Sequence, residues 1–242
     1  QYVTSFTFFL LALMIPLMSG IADFLGNKKN FMKFFVYTGS FSCIALYFFD
    51  LNNIYWGIFF YLLALFSFWA SLVFYNSYLP DIVKPEDHDR ASALGYSYGY
   101  FGSVILLLFN IFMINFPDFF GFESSGLGKL QAMKVSFVTV GIWWLLFSQY
   151  SFYFLPSKKN NNMVSGLKKS IIFSGFNELY NVWIILKKNK YIKQFLIAFF
   201  TFSTAVQTIV LIATYFGENE INWMEGEKTT GLIISMLLIQ LI

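Results

Sequence analysis

The sequence has little charge and almost no cysteine or histidine. Charged residues make up 12% of its 242 residues, whereas about 25% is typical of soluble domains. Cys43 is the one cysteine and His88 the one histidine, which excludes disulfide frameworks and the cysteine or histidine clusters that bind metals. The net charge of +3 is too small to indicate a nucleic-acid partner. We therefore expect no metal, no cofactor and no nucleic acid.

Hydrophobic residues are abundant instead, at 57% of the chain, and they form long uninterrupted runs. A run of about 20 apolar residues is what a helix needs to cross the hydrocarbon core of a bilayer. The runs therefore predict an all-α fold, a polytopic membrane helix bundle. The seven predicted spans are Gln1–Ala22, Phe31–Phe49, Ile54–Leu79, Ala91–Phe116, Gln131–Leu155, Gln194–Phe216 and Thr229–Ile242.

The basic residues indicate how these spans are oriented. If the turn after the first span faces inward, 13 of the 16 lysines and arginines fall in inner loops. Such an excess of basic residues is typical of the cytoplasmic side. This orientation places residue 1 outside, and the last run is too short to cross a bilayer. We therefore expect the chain to be an internal fragment of a longer protein, lacking helices at both ends.

The stretch Pro16–Phe31, PLMSGIADFLGNKKNF, joins the first two spans through a short basic turn. It resembles the loop between the second and third helices of major facilitator transporters. The positions that match that family's signature are Ile21, Ala22, Asp23, Gly26, Lys28 and Lys29. The positions that depart from it are Ser19, Phe24 and Asn27. Ser19 and Asp23 share one helix face, where a small residue allows close helix packing.

A second inner loop, Tyr75–Ser103, is similar to that of a bacterial major facilitator branch related to the yeast vacuolar amino-acid effluxers. The matching residues are Tyr75, Asn76, Leu79, Pro80, Asp81, Pro85, Glu86, Asp87, Asp89, Arg90, Ser92, Gly95, Gly99, Tyr100 and Gly102. The resemblance implies two six-helix halves, of which this fragment would hold about seven helices of twelve. Residues 1–155 would then be an N-terminal half lacking its first helix, 156–193 the cytoplasmic loop between halves, and 194–242 the start of the C-terminal half.

That long loop contains aromatic and apolar residues at helical spacing, namely Phe173, Phe176, Tyr180, Trp183 and Leu186. With lysines beside them, they favour an amphipathic helix on the inner leaflet. A linker helix packed on the bundle explains the pattern equally well.

The two inner loops and the helix that follows carry the residues we expect to act in conformational gating. They are Ser19, Gly20, Asp23, Gly26, Lys28, Lys29, Asp81, Glu86, Asp89, Arg90, Gly95 and Gly99. In this hypothesis, ion pairs between the loops break as the halves rock, with Arg90 pairing with Asp81, Glu86 or Asp87. Gly95 and Gly99 belong to a stripe of small residues that permits close helix crossing. Solvated loop charge and a static packing seam are the alternatives.

The middle of each predicted span lacks Asp, Glu, Lys, Arg and His. Proton relays normally need such residues, so coupling either resides in missing helices or uses neutral polar contacts. Polar side chains within a bundle also join helices, which leaves a packing role open for each candidate. The candidates for solute binding are Trp69, Tyr75, Asn76, Asn110, Gln207 and Thr208.

The resemblance implies a secondary transporter that moves a small solute, an amino acid or related metabolite, by alternating access. We expect it in a bacterial cytoplasmic membrane, with the bilayer and the solute as partners and a coupling ion left open. An enzyme is not expected. The alternatives are a membrane-embedded enzyme using the acidic loop Asp81–Asp89, or a transporter fold that serves as a receptor or scaffold.

Overall fold

The computed structural model describes residues 2–25, 27–123, 126–157 and 180–221, without the side chains of 23–25, 210, 211, 213–215 and 218. Within these residues the chain is helical and contains no strand, which confirms the predicted all-α fold. The helices are α1 (Tyr2–Leu25), α2 (Lys28–Ala45), α3 (Ile54–Asn76), α4 (Leu79–Ile82), α5 (His88–Asn115), α6 (Gly126–Phe154), α7 (180–188) and α8 (Lys190–Asn219). Short 3-10 turns occupy Leu46–Phe48, Leu51–Asn53, Pro85–Asp87 and Pro117–Phe120.

Six helices of the described part are long and apolar enough to cross a membrane, so the protein is a multi-pass membrane protein. These six observed spans are Tyr2–Ala22, Lys28–Phe48, Leu51–Ile82, Pro85–Asn115, Gly126–Phe154 and Lys190–Ile209. The predicted seventh span, Thr229–Ile242, lies outside the described residues.

Several helices continue beyond the apolar runs that predicted them. Helix α2 begins at Lys28, so Lys28 and Lys29 lie in its first turn rather than in a loop. Likewise α6 begins at Gly126 and α8 at Lys190, before the predicted Gln131 and Gln194. Lysine at a helix end keeps its ammonium group in water while its aliphatic stem covers apolar surface. The helices therefore extend beyond the ends of their apolar sequence runs.

Helix α2 is the central helix, and α6 packs antiparallel along it. The ammonium group of Lys33 lies 5.5 Å from the centre of the Phe152 ring, and the Tyr37 hydroxyl donates to Gln149 at 3.2 Å. Residue numbers therefore fall along α6 as they rise along α2. This arrangement brings the start of α2 next to the end of α6.

Helix α3 packs antiparallel on another side of α2 through aromatic rings. Phe35 stacks on Phe74 with ring centres 5.9 Å apart, and the Trp56 indole donates to the Ala45 carbonyl at 3.2 Å near the other end of α2. Both Phe35 and Phe74 are buried. The hydrophobic core of the first three helices and α6 is thus built around α2.

The chain divides into two compact units. One comprises Gln1–Tyr96 and Ile105–Tyr180, and the other Ser97–Val104 and Asn181–Ile242. Helices α1, α2, α3 and α6 belong to the first unit and α8 to the second.

Candidate functional site

The turn between α1 and α2 sets up the candidate site. The Asn27 amide donates to the carbonyl of Ala22 at 3.0 Å, and the Asn30 amide donates to Asn27 at 3.1 Å. Ala22 is fully buried, so the turn sits directly on the bundle. Gly26 and the side chain of Asp23, both predicted gating positions, lie outside the described residues.

Lys28, at the start of α2, and Asp81, in α4, join this turn to the loop that follows α3. The Lys28 Nζ lies 3.9 Å from Oδ2 of Asp81, and the two side chains are 28% and 19% exposed. Asp81 is held in the single turn of α4, where its amide donates to the carbonyl of the buried Tyr78 at 2.8 Å. A long, partly solvated pair of this kind contributes under about 1 kcal/mol. It can therefore break at little cost.

Lys29 reaches the opposite flank of α2 and fastens the end of α6. Its Nζ donates to the carbonyl oxygen of Leu155 at 2.7 Å. The last carbonyls of a helix have no partner within the helix and carry the negative end of its dipole, so a lysine ammonium stabilises them. One turn further along α2, Lys33 lies over the ring of Phe152. We call Lys28, Lys29, Lys33, Asp81 and Leu155 the basic-end cluster.

The rest of the acidic loop does not form the ion pairs expected for Arg90. Among the described residues, Arg90 makes no ion pair with Asp81, Glu86 or Asp87, and Asp81 faces Lys28 instead. Glu86, Asp87 and Arg90 are exposed. Asp89 lies in the first turn of α5, as expected for a carboxylate near a helix N-terminus.

The His88 side chain contacts the backbone of this loop. Its Nε2 lies 3.2 Å from the carbonyl oxygen of Val83, across the 3-10 turn that Pro85 begins. No group of three histidine, cysteine or acidic side chains suited to a metal occurs in the part of the chain that the structure describes. Nothing there favours the enzyme alternative.

The stripe of small residues on α5 forms no close crossing at Gly99. A Cβ added at Gly99 would meet no atom of the described chain within 4 Å, and one at Gly95 would lie 3.4 Å from the Tyr75 hydroxyl. The close crossing lies between α2 and α6, where Gly39 and Gly141 bring the helices together. Sequence reasoning missed both glycines. The one signal was the run of small residues that begins at Gly39, and it lies within an otherwise apolar span.

Within the first unit, the predicted solute-binding residues Trp69, Tyr75, Asn76 and Asn110 make separate contacts. Trp69 packs edge-on against Phe8 with ring centres 5.6 Å apart, a helix contact between α1 and α3. Asn76 at the end of α3 donates to the Tyr96 hydroxyl at 3.4 Å, and Tyr75 beside it is half-exposed. Gln207 and Thr208 are exposed on α8 in the second unit.

Two further residues that we expected to act in gating lie in α1, where Gly20 is buried and Ser19 is half-buried.

Asn110 is the one buried member of the predicted solute-binding set, with 8% of its surface exposed. Its Oδ1 accepts a hydrogen bond of 2.7 Å from the Thr139 hydroxyl, which links α5 to α6. The amide nitrogen of Asn110 makes no hydrogen bond among the described residues. The Thr139 hydroxyl has one hydrogen and also lies 2.8 Å from the Ser136 carbonyl oxygen. In the arrangement in which it donates to Asn110, the amide keeps two N–H donors for another acceptor.

Comparison with known proteins agrees with this architecture. A family model described as vacuole effluxer Atg22 like matches residues 1–241. An uncharacterized MFS-type transporter, YxiO of Bacillus subtilis (strain 168), is 27% identical over 243 residues, which cover 100% of this chain and 54% of that protein. The chain thus spans about half the length of this curated relative. No solved structure matches the chain significantly. Because the family model covers nearly every residue, this multi-pass membrane chain belongs to the Atg22-like vacuole effluxer family, which confirms the resemblance drawn from its two inner loops.

Proposed function

We propose that the chain is part of a secondary active transporter that moves a small solute, an amino acid or related metabolite, across a bacterial cytoplasmic membrane. It works by alternating access, in which two states expose the solute site to opposite sides. The observation that carries this proposal is the match of residues 1–241 to the Atg22-like vacuole effluxer family. The partly exposed Lys28–Asp81 pair joins the start of α2 to α4 at one end of the first unit, and a conformational change there can make and break it.

The distribution of charge supports the orientation of this transporter. Lys28, Lys29 and Lys33 lie together at one end of the first unit, next to the end of α6. We assign this end to the cytoplasmic face because lysine and arginine are enriched there. The long segment that follows Leu155 carries further lysines and belongs on the same face. The description of the family as effluxers supports export as the direction.

We also propose residues that contact the solute, on the basis of their burial and hydrogen-bonding groups. Asn110 offers two N–H donors from a buried position, and such donors suit a carboxylate or carbonyl oxygen of the solute. Tyr75, Asn76, Trp69, Gln207 and Thr208 remain candidates for further contacts. A neutral set of this kind binds solutes through hydrogen bonds rather than through a counter-ion.

The direct test uses the full-length protein in sealed liposomes. Vesicles are loaded with a mixture of unlabelled amino acids, and uptake of each labelled amino acid by exchange is measured. We expect exchange of a subset of them, with none in protein-free vesicles. Imposing a proton or sodium gradient then identifies the coupling ion. Folded protein that exchanges no solute, while hydrolysing or merely binding one, would contradict the proposal in favour of an enzyme or a receptor.

A further inference from the structure

Helices α7 and α8 meet at an elbow of a single residue, Asn189. Its backbone is extended, with φ −105° and ψ 103°. Its amide donates to the Ile185 carbonyl at 3.2 Å, which is the last hydrogen bond of α7. Its carbonyl accepts from the Lys193 amide at 3.1 Å, which is the first hydrogen bond of α8. Its side chain accepts from the amides of Tyr191 and Ile192 at 3.0 and 3.2 Å. Hydrogen bonds on both sides therefore fix the elbow.

The position of the elbow relative to the membrane follows from α8. The span Lys190–Ile209 is apolar and long enough to cross a bilayer. Since it begins one residue after Asn189, the elbow lies where α8 enters the bilayer. The end of α7 that joins the elbow therefore lies at the membrane surface.

Four lysines lie on either side of this elbow, in a stretch of sequence without acidic residues. Lys187, Lys188, Lys190 and Lys193 fall within seven residues, and Leu179 to Gly217 contains no Asp or Glu. All four lysine side chains are exposed. Lys188 and Lys190 line a shallow open cleft together with Ile185, Asn189 and Tyr191. The cleft therefore combines positive charge with the apolar surface of Ile185 and Tyr191.

The adjoining face of α7 is apolar and unusually exposed. Val182, Trp183 and Ile185 are 46%, 55% and 59% exposed. The ammonium group of Lys187 lies 5.4 Å from the centre of the Trp183 ring, so charge and apolar surface are joined on one short helix. A tryptophan with lysines beside it is typical of a helix that lies in the headgroup region of a bilayer.

We propose that α7 and its elbow form a docking surface for anionic phospholipids. The lysines of the cleft bind the phosphate groups, and Val182, Trp183 and Ile185 insert among the acyl chains. Charge complementarity selects this occupant, since lysines near a membrane surface are attracted by anionic headgroups. This inference is independent of the solute that is transported.

The test follows the environment of α7 in the full-length protein. An environment-sensitive fluorophore is attached to Val182→Cys in a protein without other accessible cysteines. The protein is placed in nanodiscs of phosphatidylcholine, or of phosphatidylcholine mixed equally with phosphatidylglycerol. We expect a blue-shifted emission, quenched by spin-labelled lipid, only where phosphatidylglycerol is present. High salt should reverse it, because salt screens exposed charge.

Charge-removing variants identify the residues responsible. In Lys188→Gln/Lys190→Gln, the ratio of docked to undocked α7 should fall roughly fivefold per lysine. Lys129→Gln/Lys134→Gln removes the same charge from α6 and should change nothing. Emission that is equally shifted in both lipids would overturn the proposal, because insertion would then be purely apolar. So would a label that stays in water in both lipids, or one already shielded in detergent without lipid, as in packing against protein.

Discussion

A Cβ atom added to Gly141 of α6 would lie 2.7 Å from the backbone carbonyl oxygen of Ser40 on α2. A backbone carbonyl cannot rotate away as a side chain can, so the helices approach this closely only because residue 141 is glycine. On the facing side, the Trp144 ring occupies the space where Gly39 would carry a Cβ. In a bilayer, where apolar burial does not distinguish protein from lipid, contacts of this kind hold helices together.

Gly141→Ala should therefore destabilise the protein. Forcing α2 and α6 apart is expected to cost about 1–3 kcal/mol, the range seen when a methyl group is inserted into a packed core. Gly126→Ala is the matched control, because a Cβ at Gly126 in the same helix meets nothing within 4 Å. Thermal unfolding in detergent measures both. Equal melting temperatures for the two variants would show that this crossing is not tight in solution.

This crossing also shows what the sequence could and could not predict. Apolar runs predict that a helix crosses the membrane, because length and hydrophobicity are properties of one segment. Whether a glycine is a contact depends on the helix opposite, which no single segment encodes. Hence six of the seven predicted spans were found, and the seventh lies outside the described residues. Gly39 and Gly141 were missed, and Gly99 was expected to pack closely where the described residues leave open space.

The same reasoning applies to the basic-end cluster. The motif positions of Lys28 and Asp81 indicated that two loops act together, and the structure brings these two residues within 3.9 Å. The motif could not predict that Lys29 binds a backbone carbonyl at the end of α6. Every residue has such a carbonyl, so sequence carries no signal for it. The residue types of an ion pair are visible in a sequence, whereas a backbone acceptor is not.

Lys29→Met should lower stability more than the same change at Lys33. Loss of a charged hydrogen bond costs about 1.5–3 kcal/mol, whereas loss of a partly exposed cation–π contact costs about 0.5–1 kcal/mol. Both changes remove one positive charge from α2, so general charge effects cancel. Denaturant or thermal unfolding of the two variants gives the comparison. A larger loss at Lys33 would mean that the contact of Lys29 with Leu155 is not maintained.

Reversing the charges of the Lys28–Asp81 pair tests the gating role. Lys28→Asp and Asp81→Lys should each change the exchange rate in liposomes, because each places like charges together and biases the two transporter states. The double reversal restores opposite charges and should recover part of the rate, roughly two- to fivefold for a partly exposed pair. Lys84→Asp reverses an exposed charge in the same loop and should leave the rate unchanged. Strictly additive effects of the two single changes would remove this pair from the gating mechanism.

Asn110 and Thr139 provide a test of solute binding that separates it from packing. Thr139→Val removes the hydrogen bond to Asn110 but leaves the amide donors, so it should lower stability by about 0.6–1.7 kcal/mol, as for other hydrogen bonds between membrane helices. Asn110→Leu removes the same bond and also the donors. It should therefore lower stability similarly and raise the KM for the solute roughly fivefold, the value of one neutral hydrogen bond. KM is measured by exchange at several solute concentrations, and equal values in both variants would assign Asn110 to helix packing alone.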